Sequence, residues 1–115
     1  MTIKRHEQNK VFSKVIEANG FVITSGITAS DSELDIKGQT KQILDEIDRL
    51  LGLCGSDKSK ALSTMIWVTD IRNRDAMNEV WFDWTGGQNM PVRACVEARL
   101  ADPKLLVEIQ VTASK

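Results

Sequence analysis

From Ile36 onward the apolar positions recur at three- and four-residue steps: Ile36, Thr40, Ile43, Leu44, Ile47, Leu50, Leu51 and Cys54. Lys41, Asp45, Glu46, Asp48 and Arg49 fall on the other side, so the stretch predicts an amphipathic helix. Gly55 stands where a helix-ending residue of positive φ is wanted, and Cys54, closing the stripe, reads as core. A second, shorter helix runs to about Trp84, with Asp70 or Asn73 as its cap and Met77, Val80, Trp81 and Trp84 as its apolar face. Gly86-Gly87 breaks it as a turn, with no phosphate-loop pattern around the pair.

Elsewhere the period is two. Val11 to Ala18 predicts a strand, Asn19-Gly20 a two-residue hairpin turn, and Phe21 to Ser25 the return strand. Ile27 to Glu33 is polar and short-chained, which predicts a loop, and Ala61 to Val68 predicts a third strand. After Pro91, Val92, Ala94, Val96, Ala98 and Leu100 alternate with Arg93, Cys95, Glu97 and Arg99. After a turn at Ala101-Asp102-Pro103-Lys104, Leu105, Val107, Ile109, Val111 and Ala113 alternate with Leu106, Glu108, Gln110 and Thr112. The two runs predict a hairpin with one apolar face under the helices. The order is β-β-α-β-α-β-β, an α+β fold with two helices on one face of a mainly antiparallel sheet.

Composition narrows the function classes. The 115 residues are 42% hydrophobic and 27% charged, which excludes disordered, collagen-like and coiled-coil chains and fits one domain spanning residues 1–115. With 15 basic against 16 acidic side chains there is no footprint for duplex nucleic acid. No apolar run approaches the roughly 18 residues of a membrane span. Met1 to Glu7 carries basic residues with no apolar segment behind them, so a cytoplasmic location is expected, and Cys54 and Cys95 read as reduced thiols. The one histidine, His6, sits in a polar arm; no zinc-like spacing and no Ser-His-Asp set is present, so neither a metal site nor a triad is expected.

The second sheet face raises the chemical question. The hairpin reading puts Arg93, Cys95, Glu97, Arg99, Glu108 and Gln110 there, with Arg93 and Glu108 on the same side of adjacent strands and Glu108 opposite Glu97 if Leu100 pairs with Leu105. Such a face is either solvated or a charged cleft. A cysteine among charges favours the cleft, since free thiols prefer burial. Arginine binds a carboxylate with a planar fork, and a partly desolvated glutamate can hold and deprotonate water. Together they suit addition of water to a small carboxylate-bearing electrophile, without metal or covalent intermediate.

The run Pro91-Val92-Arg93-Ala94-Cys95-Val96-Glu97-Ala98-Arg99-Leu100, followed by Val107-Glu108-Ile109, resembles the C-terminal signature of the YjgF/RidA family. Ile23-Thr24-Ser25-Gly26, Val68-Thr69-Asp70 and Met77-Asn78-Glu79-Val80 extend the likeness over nearly the whole chain. The resemblance implies a chorismate-mutase-like fold and a homotrimer with its sheets around a three-fold axis and clefts between subunits. It implies hydrolytic deamination of reactive enamines and imines, 2-aminoacrylate among them, to 2-keto acids and ammonia, with no cofactor. By position, Arg93 would grip the substrate carboxylate, Cys95 would line the pocket and Glu108 would steer water and move a proton. Ser25 and Gly26 would form the opposite wall with Asn78 nearby. Phe12 stands where the RidA branch often has tyrosine, and Ile27 where glutamine is usual, which makes one wall less polar and sets the chain in a subgroup apart from the archetype.

The alternative is a non-catalytic sensor of small carboxylates on the same scaffold, with Arg93 as anchor. Some relatives are associated with translation inhibition or RNA cleavage, for which this chain offers neither the charge nor a histidine pair.

Overall fold

The computed structural model describes residues 2–115. In chain order the elements are β1 (Ile3–Gln8), β2 (Ser13–Ala18), β3 (Phe21–Thr24), β4 (Ile27–Thr28), α1 (Ile36–Leu53), β5 (Ala61–Val68), α2 (Arg74–Thr85), β6 (Val92–Glu97) and β7 (Val107–Ser114). The predicted order of helices and strands is therefore present. The structure adds β1, which pairs antiparallel with β2 along what the sequence offered only as a polar arm, and the short β4 inside the predicted 27–33 loop.

Local chemistry accounts for most boundaries. Asn19 and Gly20 both take positive φ, 53° and 81°, and turn Ala18 directly onto Phe21. Asp35 caps α1 by accepting from the Gly38 N–H at 2.8 Å. At the other end Gly55 has φ 74°, and Cys54 is buried as expected. Asp70 caps a short 3₁₀ turn, Ile71–Asn73, which leads into α2; Asn73 makes no side-chain cap bond. Gly86, at φ 67°, ends α2. The core lies between α1 and the sheet, with Ile43, Leu44, Ile47, Leu50 and Leu51 set against Val15, Val22, Ile66, Ile109 and Val111, all fully buried.

The predicted hairpin between the last two strands does not form. The sheet runs β1-β2-β3-β7-β5-β6, so β7 sits inside, antiparallel to both β3 and β5, and β6 lies at the edge, parallel to β5. Alternation tells which residues share a face; it does not tell which strand lies alongside. β7 is buried along one entire face, and only a central strand beneath α1 can achieve that. The connection 98–106 carries the chain past the end of β5, across two strand spacings of about 10 Å in all.

One side chain holds that crossing. Gln39 of α1 is fully buried. Its Nε2 donates to the carbonyls of Leu34 at 3.0 Å and Lys104 at 3.1 Å, and its Oε1 accepts from the Leu106 N–H at 2.8 Å. A buried amide with all these partners ties the loop before α1 to the loop before β7. Gln39→Leu keeps the volume and removes the bonds. Urea unfolding of this variant is expected to show a loss of about 2 kcal/mol, with the transition still cooperative; an unchanged midpoint would contradict the role.

Candidate active site

Two clusters gather the residues singled out in the sequence. The first lies where β6 meets α2. Arg93 donates from Nη1 to Asn78 Oδ1 at 2.7 Å, and its guanidinium carbon stands 5.3 Å from the centre of the Trp81 ring. Cys95, two residues on and so on the same face, is half-buried and packs against the core. Glu97, next along that face, accepts from the Ile71 N–H at 2.9 Å. β6 thus turns its charged positions toward the helices, and Val92, Ala94 and Val96 away from them. This reverses the expected orientation. The reason is that α2 offers an amide and an aromatic face at this edge, partners suited to a guanidinium.

The second cluster lies where β3, β4 and β7 meet. The Glu108 carboxylate runs so close over Gly26 that a Cβ built there would stand 2.1 Å from Oε2, so a larger residue would push the carboxylate from this position. The neighbouring Ser25 Oγ is buried and, among the described residues, without a hydrogen-bond partner. Phe12, Ser25, Gly26 and Ile27 form one wall of a cleft of about 530 Å³, with Lys14 and Arg49 across from them. Both cations are already paired, Lys14 with Glu46 at 2.8 Å and Arg49 with Glu7 and Glu46.

The two clusters do not meet within the chain. Glu108 pairs with Trp67 and Arg93 with Thr64 on the two edges of β5. That places them about 10 Å apart along the strands and about 10 Å across them. They also point to opposite faces, since Arg93 faces α2 while Glu108 alternates with the buried, α1-facing Val107 and Ile109. The expectation that Arg93 and Glu108 share a side of adjacent strands, with Glu108 opposite Glu97, is therefore overturned by the place of β7. Phe12, Ser25 and Gly26 line one cleft, with Glu108 lying against Gly26, and Arg93, Cys95 and Asn78 come together at the other cluster. Trp81, read in the sequence as core, proves to be both core and the floor under Arg93. The available signal was its position three residues after Asn78, on the same helix face.

With this geometry in view, the family follows. The family model described as Endoribonuclease L-PSP matches residues 2–115, and the chain belongs to that family, whose relatives carry the names YjgF and RutC. A RutC family protein of Haemophilus ducreyi is 37% identical over 112 residues, covering 97% of this chain and 96% of that protein. The RutC family protein YoaB of Escherichia coli is 34% identical over 114 residues, covering 99% of each. Among solved structures, a YjgF protein family member from Neisseria meningitidis superimposes with a TM-score of 0.96 at 40% identity, covering 100% of this chain and 96% of that one.

A third group of ionisable side chains lies at the opposite edge of the sheet. His6 Nε2, Glu17 Oε2 and Cys54 Sγ all lie within 4.8 Å of one another, a donor set that could hold a cation. Lys115 already supplies one, its Nζ 2.7 Å from Glu17 Oε1, and His6 Nε2 is 2.6 Å from Oε2. Burial, helped by the neighbouring Glu17 carboxylate, pushes the Cys54 thiol up to about 11, so it stays protonated. The cluster is a satisfied buried carboxylate that ties β1 and the C-terminal lysine to β2. The Lys115 and His6 bonds lower Glu17 from 4.5 to about 2. A carboxyl held below its unfolded value stabilises the fold above that value and loses the contribution as pH falls through the window between the two. Unfolding free energy should therefore decline between about pH 4.5 and about pH 2. Glu46, likewise lowered to about 2 by Arg49 and Lys14, acts in the same window. Denaturant titrations across it should show a shallower decline for Glu17→Gln than for the unaltered protein; parallel curves would contradict the assignment.

Proposed function

We propose that the protein hydrolyses reactive enamines and imines of 2-amino acids to 2-keto acids and ammonia, in sites shared between copies of the chain. The observation that carries this reading is Arg93. It is fixed by Asn78 and Trp81, and among the described residues no carboxylate is bound to it. A guanidinium so held keeps N–H donors for a planar two-oxygen acid.

The second half-site comes from a neighbouring protomer. The helix-free face of the sheet exposes Phe21, Val92 and Val96, with Ile16, Ile23, Met65 and Trp67 half-buried among them. Contiguous apolar surface of this kind marks an interface. A cyclic assembly, a trimer on the family resemblance, buries that face and brings the Glu108 cluster of one copy to the Arg93 cluster of the next.

In such a site Arg93 clasps the substrate carboxylate and Cys95 forms the wall beside it. Protonation of an enamine at carbon gives the iminium. Water held by Glu108 adds to the C=N carbon while the carboxylate takes its proton. Glu108 returns that proton to the carbinolamine nitrogen, which leaves as ammonia while the oxygen's proton passes to solvent, replacing the one taken up at the enamine carbon and leaving the keto acid. Atoms and charge balance with water as the only co-reactant, and no cofactor takes part. The gain comes from holding water and electrophile together. RNA cleavage, the activity in the family model's description, finds less support: the net charge is −1 and the single histidine is bound to Glu17. The carboxylate-sensor reading rests on Phe12 and Ile27, which make the Ser25 wall apolar.

Imines generated by an amino-acid oxidase provide the test. The protein should speed their decay, and Arg93→Ala should remove about a hundredfold of that acceleration while the assembly persists. Equal rates for the two proteins would contradict the proposal, and keto-acid binding without turnover of any imine would favour the sensor.

A further inference from the structure

We propose that Trp81 is a positioning residue for Arg93 and thereby sets the protein's affinity for small carboxylates. The inference deepens the reading of Arg93 as an acid-binding group and rests on it.

Two contacts fix the guanidinium and they do different work. The bond from Nη1 to Asn78 Oδ1, 2.7 Å long, sets rotation within the guanidinium plane. The Trp81 ring, whose centre lies 5.3 Å from the guanidinium carbon, offers the cation its π face and shields that side from water. Asn78 and Trp81 lie three residues apart on α2, so a single rigid face carries both. The platform is itself held. Trp81 is only 6% exposed and packs on Trp84 with ring centres 5.3 Å apart, and Trp84 donates from Nε1 to Asp48 Oδ1 of α1 at 3.0 Å.

An arginine at a strand edge otherwise samples many rotamers, and ordering it on ligand binding weakens affinity. The cation–π contact with a fixed indole does that ordering in the free protein. Trp81 touches neither substrate nor water in this account; it acts through Arg93.

Calorimetry with pyruvate as the probe tests this on the full chain. Trp81→Met, which keeps apolar bulk without a π face, should weaken binding about tenfold, and Trp81→Phe should stay within about threefold of the unaltered protein. With imine substrates the same step should appear in KM and leave kcat in place, a split that loosened packing would not produce. A second measurement does not depend on the methionine variant folding. Pyruvate should perturb tryptophan emission, and Trp81→Phe should still bind while losing that response. Equal affinity for Trp81→Met, an undiminished emission response in Trp81→Phe, or no pyruvate binding by the unaltered protein would each overturn the inference. Pyruvate binding without imine turnover would overturn the deaminase reading alone, and the affinity ratio would still decide the role of Trp81.

Discussion

The place of β7 between β3 and β5 governs the remainder of the structure. It buries Val107, Ile109, Val111 and Ala113 in a central strand and gives α1 its floor. It also separates the chemistry. With β5 between them, β6 and β7 carry Arg93 and Glu108 on strands that do not touch and on opposite faces. The Gln39 amide secures this arrangement by joining the loop before α1 to the crossing before β7. Under the proposed function, with Arg93 as the acid-binding group, a fold that keeps it apart from the Glu108 carboxylate does not complete the chemistry with one copy. Its helix-free apolar face supplies a reason for copies to join.

Residues whose structure is decided locally were legible in the sequence. Asn19-Gly20, the helix from Ile36, the helix-ending Gly55 and Gly86, and the buried Cys54 follow from φ preferences and periodicity. What escaped depends on partners distant in the chain. Period two in residues 92–100 correctly separates Arg93, Cys95 and Glu97 from Val92, Ala94 and Val96, but not which set faces the helices. That is decided by Asn78 and Trp81, which hold the guanidinium, and by the apolar set lying on a face the single chain leaves open. β1 escaped because its residues are mostly exposed on an edge strand, where burial imposes little pattern. Gln39 escaped because a polar residue inside an apolar stripe looks like helix surface until its bonds to Leu34, Lys104 and Leu106 are seen.

The residues singled out in the sequence fall into two clusters whose separation the sequence did not show. Ser25, Gly26 and Glu108 were placed together by resemblance, and in the structure the Glu108 carboxylate lies directly over Gly26, where a Cβ would displace it. The resemblance placed Arg93 with them in a cleft between subunits, and within one chain Arg93 lies in a separate half. In the proposed assembly each half is preformed on rigid elements, so joining the copies completes the site with little local rearrangement.

Co-assembly of two damaged chains tests this division most directly. Arg93→Ala keeps an intact Glu108 half, and Glu108→Gln keeps an intact Arg93 half. Each alone should lack imine hydrolysis. Co-expressed and randomly assembled, they should recover about a quarter of unaltered activity, the share of interfaces in a cyclic oligomer that join two sound halves. Mixed assemblies that form yet show no more activity than either parent would contradict a site built from two copies.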